Sequence, residues 1–416
     1  MPLPAFTATV SGDVPPALQT WAVRSAVALG VEAIRFSAAA PSDEAREAAS
    51  SLRMPLSTGQ SPDSATGVVT TPSLPTSEYL RKLLPPAECN LTGRAMEGAF
   101  APWAGPDAAS PLDLFAGALR RFQVPAQFDH GVRLVEMAQA EDAARCVEEA
   151  RLGAAEGERT ISLLAAGSGV PFSVMDPDGG WRLAFHRLRE ALRPAIVAPR
   201  FDAADTTLHV FASNRRHEPL QAWAHWRIVR TDGMLLDEGG KAFSLEERAS
   251  AEVGTVPLAG LLRQYSPYSV LGWTTLETDS GEILSRRATL FCPPRHLALA
   301  DPSIAVEVEA VPARSAKGTP EWRHDFRMLF PGHDDEIETR RDGGHWFRVT
   351  LTALSPALWV VLSTPGLSGV HFGVNGFHLE TESPWEILVR SERPLTLKSF
   401  RRALRVESLV DTYFGV

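Results

Sequence analysis

The sequence predicts a multidomain chain, an α/β part followed by an all-β part, and three observations carry that expectation. Over residues 1–195, amphipathic helical segments alternate with short β-branched runs. From Thr206 the pattern changes to period-two alternation broken by tight turns, as in TLHVFASN and in WAHWRIVRTDGMLL with its Asp232-Gly233 reversal. Val270–Pro302 then reads as a complete hairpin, VLGWTTLET and EILSRRATLF around Asp279-Ser280-Gly281, ended by Cys292-Pro293-Pro294 and again by Pro302. Proline cannot donate to a strand ladder, so one sheet domain closes near Phe291 and another opens near Ser303. The expected domains are therefore 1–195, 196–300 and 301–416, the last two sandwich-like.

Composition narrows the function classes. The chain has 416 residues, 44% hydrophobic and 22% charged, ordinary values for a globular protein. A net charge of -9, with Lys and Arg scattered among acids, argues against a nucleic-acid partner. No apolar run approaches the ~20 residues of a membrane span, and the first residues lack a secretory pattern, so a cytoplasmic location is expected. Cys89, Cys146 and Cys292 have neither disulfide-framework nor zinc spacing. No phosphate loop, dinucleotide fingerprint or nucleophile elbow stands in the right context, so no cofactor is expected.

Within the first part, Leu18–Gly30 places Trp21, Val23, Ala26 and Val27 on one helical face, with Gly30 a C-cap before the strand VEAIRF. Pro41-Ser42-Asp43-Glu44 opens a second helix whose acids suit the helix dipole. A short strand is expected at Gly67–Thr70, and a helix capped by Ser77 and stopped by Pro85-Pro86. Phe128–Arg151 is the most regular helical pattern, and Thr160–Leu164 follows as a strand. Asp176–Gly180 reads as a turn and Trp181–Leu192 as a helix. The final domain draws strands from Ala305–Ala310, HWFRVTLTA, LWVVLST and WEILVRS.

Several of these segments carry a resemblance. The Cys292-Pro293-Pro294-Arg295 exit with its Leu299-Ala300-Asp301-Pro302 tail is similar to a domain end in the glycoside hydrolase family 2 β-mannosidases. Met137–Glu141 with Val147–Arg151, WRLAFHRLREAL with Ile196–Pro199, and the closing LRVESLVDTYFGV match other stretches of that family in order. The resemblance implies a shortened, degenerate TIM-type barrel followed by two immunoglobulin-like β-sandwiches. It also implies where catalytic groups would stand. Laying Ser73-Leu74-Pro75-Thr76 on the family's Ser-Phe-Pro-Ser puts Gly67-Val68 at the Ser-Glu of the nucleophile, so Val68 occupies the nucleophile position. The family's acid lies in an Asn-Glu pair, a dipeptide this chain lacks.

A retaining glycosidase needs two carboxylates about 5–5.5 Å apart. Substrate-contact candidates are Glu78, Asp129, Asp176, Asp178 and Trp181, set against the simpler reading of helix-start acids, an Asp-Pro-Asp-Gly turn and a packing tryptophan. Glu97 has the same ambiguity. His324, His333 and His345 with Asp325, Asp334, Asp335 and Glu336 are dense, yet they meet no metal-site spacing and read as a solvated loop. Trp223, His225 and Trp226, with Trp273, Trp346, Trp359 and Trp385, could present an aromatic surface to a sugar or a protein, although strand alternation sends about half of them inward. Together these features predict a non-catalytic, β-mannosidase-like binder of carbohydrate or a protein partner. The alternatives are a glycosidase using other carboxylates, or an interaction scaffold.

Overall fold

The computed structural model describes residues 5–11, 14–37, 40–58, 68–69, 140–153 apart from 142 and 146, 158–165, 174–175, 179–292, 297–311, 343–381 and 384–412. Glu78, Glu97, Asp129, Asp176, Asp178, His324 and His333, with the acids near the last two, lie outside these residues, as do Cys89 and Cys146.

The first part is built on a parallel sheet of β1 (Ala5–Ser11), β2 (Ala33–Phe36), β3 (Leu56–Thr58), β4 (Val68–Val69) and β5 (Glu158–Ala165), in the order β3-β2-β1-β5-β4. Followed from β4, the strands run β4-β5-β1-β2-β3, so each step between successive neighbours goes the same way. Right-handed crossovers then place their helices on one face of the sheet. Helix α1 (Pro16–Leu29) ends on Gly30 at φ +84°, as the sequence predicts. Helix α2 (Asp43–Ser51) is capped by Ser42 Oγ, which accepts from the Ala45 amide at 3.2 Å, a cap worth about 1 kcal/mol. Buried Gln19 ties the two helices, donating to the Val14 carbonyl and accepting from the Ser42 amide.

The central strand β1 is absent from the sequence reading. Its alternation is plain once placed: Phe6, Ala8 and Val10 are buried in the core with α1 and α2, leaving Thr7 and Thr9 on the other face. The described residues of 140–152 form helix α3. Helix α4 (Leu183–Ala191) begins two residues later than expected, because Trp181 pairs with Met175 in an isolated bridge that closes the turn.

Two sandwiches follow, each with seven strands among the described residues. The first packs β6 (Ala195–Asp202), β7 (Thr207–Asn214) and β10 (Ala249–Pro257) against β8 (Leu220–Arg230), β9 (Leu235–Leu245), β11 (Val270–Thr278) and β12 (Ile283–Leu290), with helix α5 (Ala259–Tyr265) before β11. The β11–β12 hairpin turns at Gly281, φ +84°, and the β8–β9 hairpin at Gly233, φ +92°. The second pairs β13 (Ala305–Ala310), β14 (Gly343–Thr352), β16 (Val370–Phe372) and β18 (Trp385–Thr396) in one sheet. Its other sheet holds β15 (Ala357–Ser363), β17 (Phe377–Leu379) and β19 (Arg405–Glu407), and helix α6 (Leu397–Ala403) bridges them. Three-plus-four strands with an apolar interior is the immunoglobulin-like arrangement. No described helix is long and apolar enough to cross a membrane.

Candidate functional site

In a parallel α/β sheet the helix-free face and the carboxyl ends of the strands are where ligands are met. On that face Thr9, Arg35 and Ser57 stand in one register row, Thr9 opposite Arg35 and Arg35 opposite Ser57, and the backbone of Ser162 continues the row on β5. Thr9 Oγ1 donates to the Ile161 carbonyl at 3.3 Å, and Ser37, just past β2, donates to the Val10 carbonyl through both its amide and its hydroxyl. The row offers hydroxyls and one guanidinium. Across the five strand sequences the single acidic residue is Glu158, and it stands at the amino end of β5, opposite the carboxyl rim. Val68 opens β4, whose backbone pairs with Thr160 of β5 at the edge of the sheet.

Trp181 is placed away from that rim. Its indole stacks between Trp21 (5.5 Å, 11°) and Phe185 (4.3 Å, 12°), donates to Ser25 Oγ at 3.0 Å, and meets His371 of the last domain edge-on at 6.1 Å. Trp21 in turn donates to the Gly179 carbonyl. These contacts make Trp181 a packing anchor on the helical side of the sheet. Of the other tryptophans, Trp273, Trp346 and Trp359 are buried and belong to the core that joins the three parts, while Trp223 is 40% exposed.

Among the described residues, buried charge gathers at that junction. Glu141 on α3 pairs with Arg187 on α4 at 2.7 Å and accepts from the Trp359 indole at 3.0 Å, while Glu148 pairs with Arg287 at 2.5 Å. Burial alone would raise the Glu141 pKa, but Arg187, Arg287 and His378 outweigh it and hold the carboxyl at about 2. His378 accepts the Trp359 amide at Nδ1, and burial, helped by Arg187, pushes its pKa down to about 3. Trp359 sits at φ +48°, a strained conformation for a large side chain that these two bonds fix. Arg151, fully buried, donates to the carbonyls of Ala191 and Arg193 at 2.7 Å and to Ser213. A glutamate held this firmly as an anion, with Arg187 and an indole on it and Arg287 nearby, is a fastener between domains rather than a proton donor.

Sequence reasoning singled out neither the Thr9–Arg35–Ser57 row nor the junction roles of Glu141, Glu148 and Arg151. An arginine inside the strand VEAIRF was a signal for the first, and the charged positions of the α3 pattern were signals for the second. Among the described residues Asp202, Asp205 and His209 also cluster on the first sandwich, but the two aspartates cap the amides of Ala204 and Thr207 in their own loop.

The family described as the Mannosidase Ig/CBM-like domain matches residues 206–296, and an Ig-fold domain family of mannosidases matches residues 333–412. The β-D-mannosidase of Dictyoglomus thermophilum superposes with a TM-score of 0.65 at 13% identity, covering 98% of this chain and 60% of that one. The exo-chitosanase of Amycolatopsis orientalis gives 0.58 at 12%, covering 98% and 63%. The likeness is one of fold, and the chain spans about three-fifths of the length of each. No curated protein matches the sequence.

Proposed function

Taking as premise that the chain is a glycoside hydrolase family 2 β-mannosidase-like protein, we propose that it is a non-catalytic member of that architecture, a pseudoenzyme that binds carbohydrate. In this reading residues 1–195 are a shortened, degenerate barrel, residues 196–300 and 301–416 its two immunoglobulin-like sandwiches, and the barrel rim has lost its hydrolytic groups. The strand order supports the barrel part. With β1 beside the last strand β5 and β4 on the far side of β5, the arc follows the cyclic order of a barrel opened between β3 and β4.

The observation that carries the proposal is the β4 edge. β4 is the described strand beside β5, the place of the nucleophile strand in the resemblance, and its two residues are Val68 and Val69. Valine has no oxygen to attack an anomeric carbon, and double displacement requires a second carboxylate facing the first. A hydroxyl-and-guanidinium row can still hydrogen-bond a sugar.

Hydrolysis of p-nitrophenyl β-mannoside and β-glucosaminide, sugars suggested by the two relatives, tests the reading alongside calorimetry with the matching oligosaccharides. The expected outcome is binding with no turnover above the uncatalysed rate. Turnover abolished by Glu78→Gln or Asp176→Asn would overturn it in favour of a working glycosidase. A chain that neither hydrolyses nor binds any oligosaccharide would overturn the carbohydrate assignment.

A further inference from the structure

The outer face of the β12-β11-β8-β9 sheet carries a second, differently built surface. Trp223 on β8 lies opposite Glu277 of β11 on one side and Ala242 of β9 on the other, and Glu277 lies opposite Ile283 of β12. Trp223 and Ile283 are 40% and 38% exposed, two of the few large apolar side chains left open among the described residues. They stand two strands apart, roughly 10 Å, with a carboxylate between them.

The indole is held in place. Its Nε1 donates to Asp279 Oδ1 at 3.2 Å, from the β11–β12 turn, and its ring lies parallel to His225 at 5.7 Å and 7°. His225 Nε2 is 4.0 Å from Glu277 Oε2. The β9 side is a low shelf of exposed Gly240 and Ala242, and a Cβ on Gly240 would come within 2.6 Å of His225 Nδ1. The absence of a side chain there lets the imidazole lie against β9 beside the indole.

Charge selects the occupant. Beside the indole stand Glu277 and Asp279, while of the neighbouring cations Arg227 pairs with Glu380, and Arg286 lies over the Trp385 ring at 5.8 Å, within electrostatic reach of both Glu380 and Glu277. An aromatic face ringed by carboxylates attracts a cation that also has an apolar side, through the ring quadrupole and direct charge. A hexose supplies the apolar C–H face for the indole, and an amine on that hexose supplies the cation for Glu277. We infer that the Trp223–His225–Glu277 face of the first sandwich is a binding platform for a cationic glycan, a chain of β-linked hexosamine residues with free amines. The inference rests on the carbohydrate reading above and adds a site distinct from the carboxyl rim of the parallel sheet.

The test is calorimetry of the full chain against glucosamine hexamer, N-acetylglucosamine hexamer and mannohexaose, at low and raised salt, with Trp223→Ala and Glu277→Gln beside the parent. The glucosamine hexamer should bind at least about tenfold tighter than the other two and lose affinity with salt, since exposed charge is screened. Trp223→Ala should weaken it about tenfold or more, and Glu277→Gln should weaken it and flatten the salt dependence, each with an unchanged melting temperature. Glucosamine-hexamer binding that Trp223→Ala leaves intact would overturn this platform while sparing the carbohydrate reading. Equal binding of the acetylated or mannose oligomers at Trp223, or equal competition by a lysine peptide, would overturn the cationic-glycan assignment. Failure of all three oligomers to bind would overturn both.

Discussion

Replacing Arg151 by alanine should loosen the joint between the parallel sheet and the first sandwich more than any surface change. The guanidinium is fully buried and makes four hydrogen bonds, to the carbonyls of Ala191, Arg193 and Ser213 and to Ser213 Oγ. Its own carbonyl accepts from Ser250 Oγ at 3.0 Å, so both backbone and side chain of this residue reach the sandwich. Truncation strands three carbonyls, each costing about 1–3 kcal/mol when left unpaired. The guanidinium's desolvation penalty is recovered and water can enter the cavity, so the net loss should settle near 3–5 kcal/mol. Arg151→Lys should fall between, because an ammonium lacks the planar fork that spans the three carbonyls. Guanidinium chloride unfolding followed by tryptophan fluorescence reads the effect, fitted as a multi-step transition because several domains contribute. A loss under about 1 kcal/mol for Arg151→Ala would refute the idea that this side chain clamps the domains.

Two further outcomes follow from the junction. Burial pushes His186 and His378 down to about 3 from 6.5, so the unfolded chain takes up protons that the folded one refuses as pH falls below 6.5. Stability should be fully present above about pH 6.5 and decline by about 1.4 kcal/mol per pH unit for each histidine on the way down to 3. Glu141, held at about 2 against an ordinary 4.5, adds a loss that begins only below about 4.5. Melting temperature against pH checks the order, and the double change His186→Asn with His378→Asn should flatten the segment between 6.5 and 4.5. Separately, Glu141→Gln should cost about 3 kcal/mol by leaving Arg187 buried opposite a neutral amide, measured by the same denaturation. Equal stability of that variant and the parent would show the ion pair to be dispensable.

Local chemistry was enough to read much of this chain. Gly30 marks a helix end because only a residue without Cβ takes that left-handed turn at no cost, and Ser42 marks a helix start because its hydroxyl satisfies a free amide. The Asp279-Ser280-Gly281 reversal and the alternation of the later strands fix the hairpins and the sandwiches for the same local reasons. The order of motifs was enough for the β-mannosidase likeness, and it placed valine where the likeness calls for a nucleophile. The alternation of Phe6, Ala8 and Val10 also carried a signal for β1, which the sequence expectations did not include.

What needed the tertiary structure was which side chains meet. Arg151, Glu141 and Glu148 look in the sequence like the solvated face of an amphipathic helix, and Trp181 reads there as a packing anchor with sugar stacking as the alternative, its partners unnamed. Charge and aromaticity in a sequence do not say whether the next domain will cover them. Only when α3 is set against both sandwiches do the arginine find three carbonyls and the glutamate an indole 218 residues away, and only then is Trp181 enclosed by Trp21, Phe185 and His371. Trp223 shows the reverse. Alternation says that it and Trp226 face opposite ways, but not which one is covered, and it is the packing of the two sheets that takes in Trp226 and leaves Trp223 in the open.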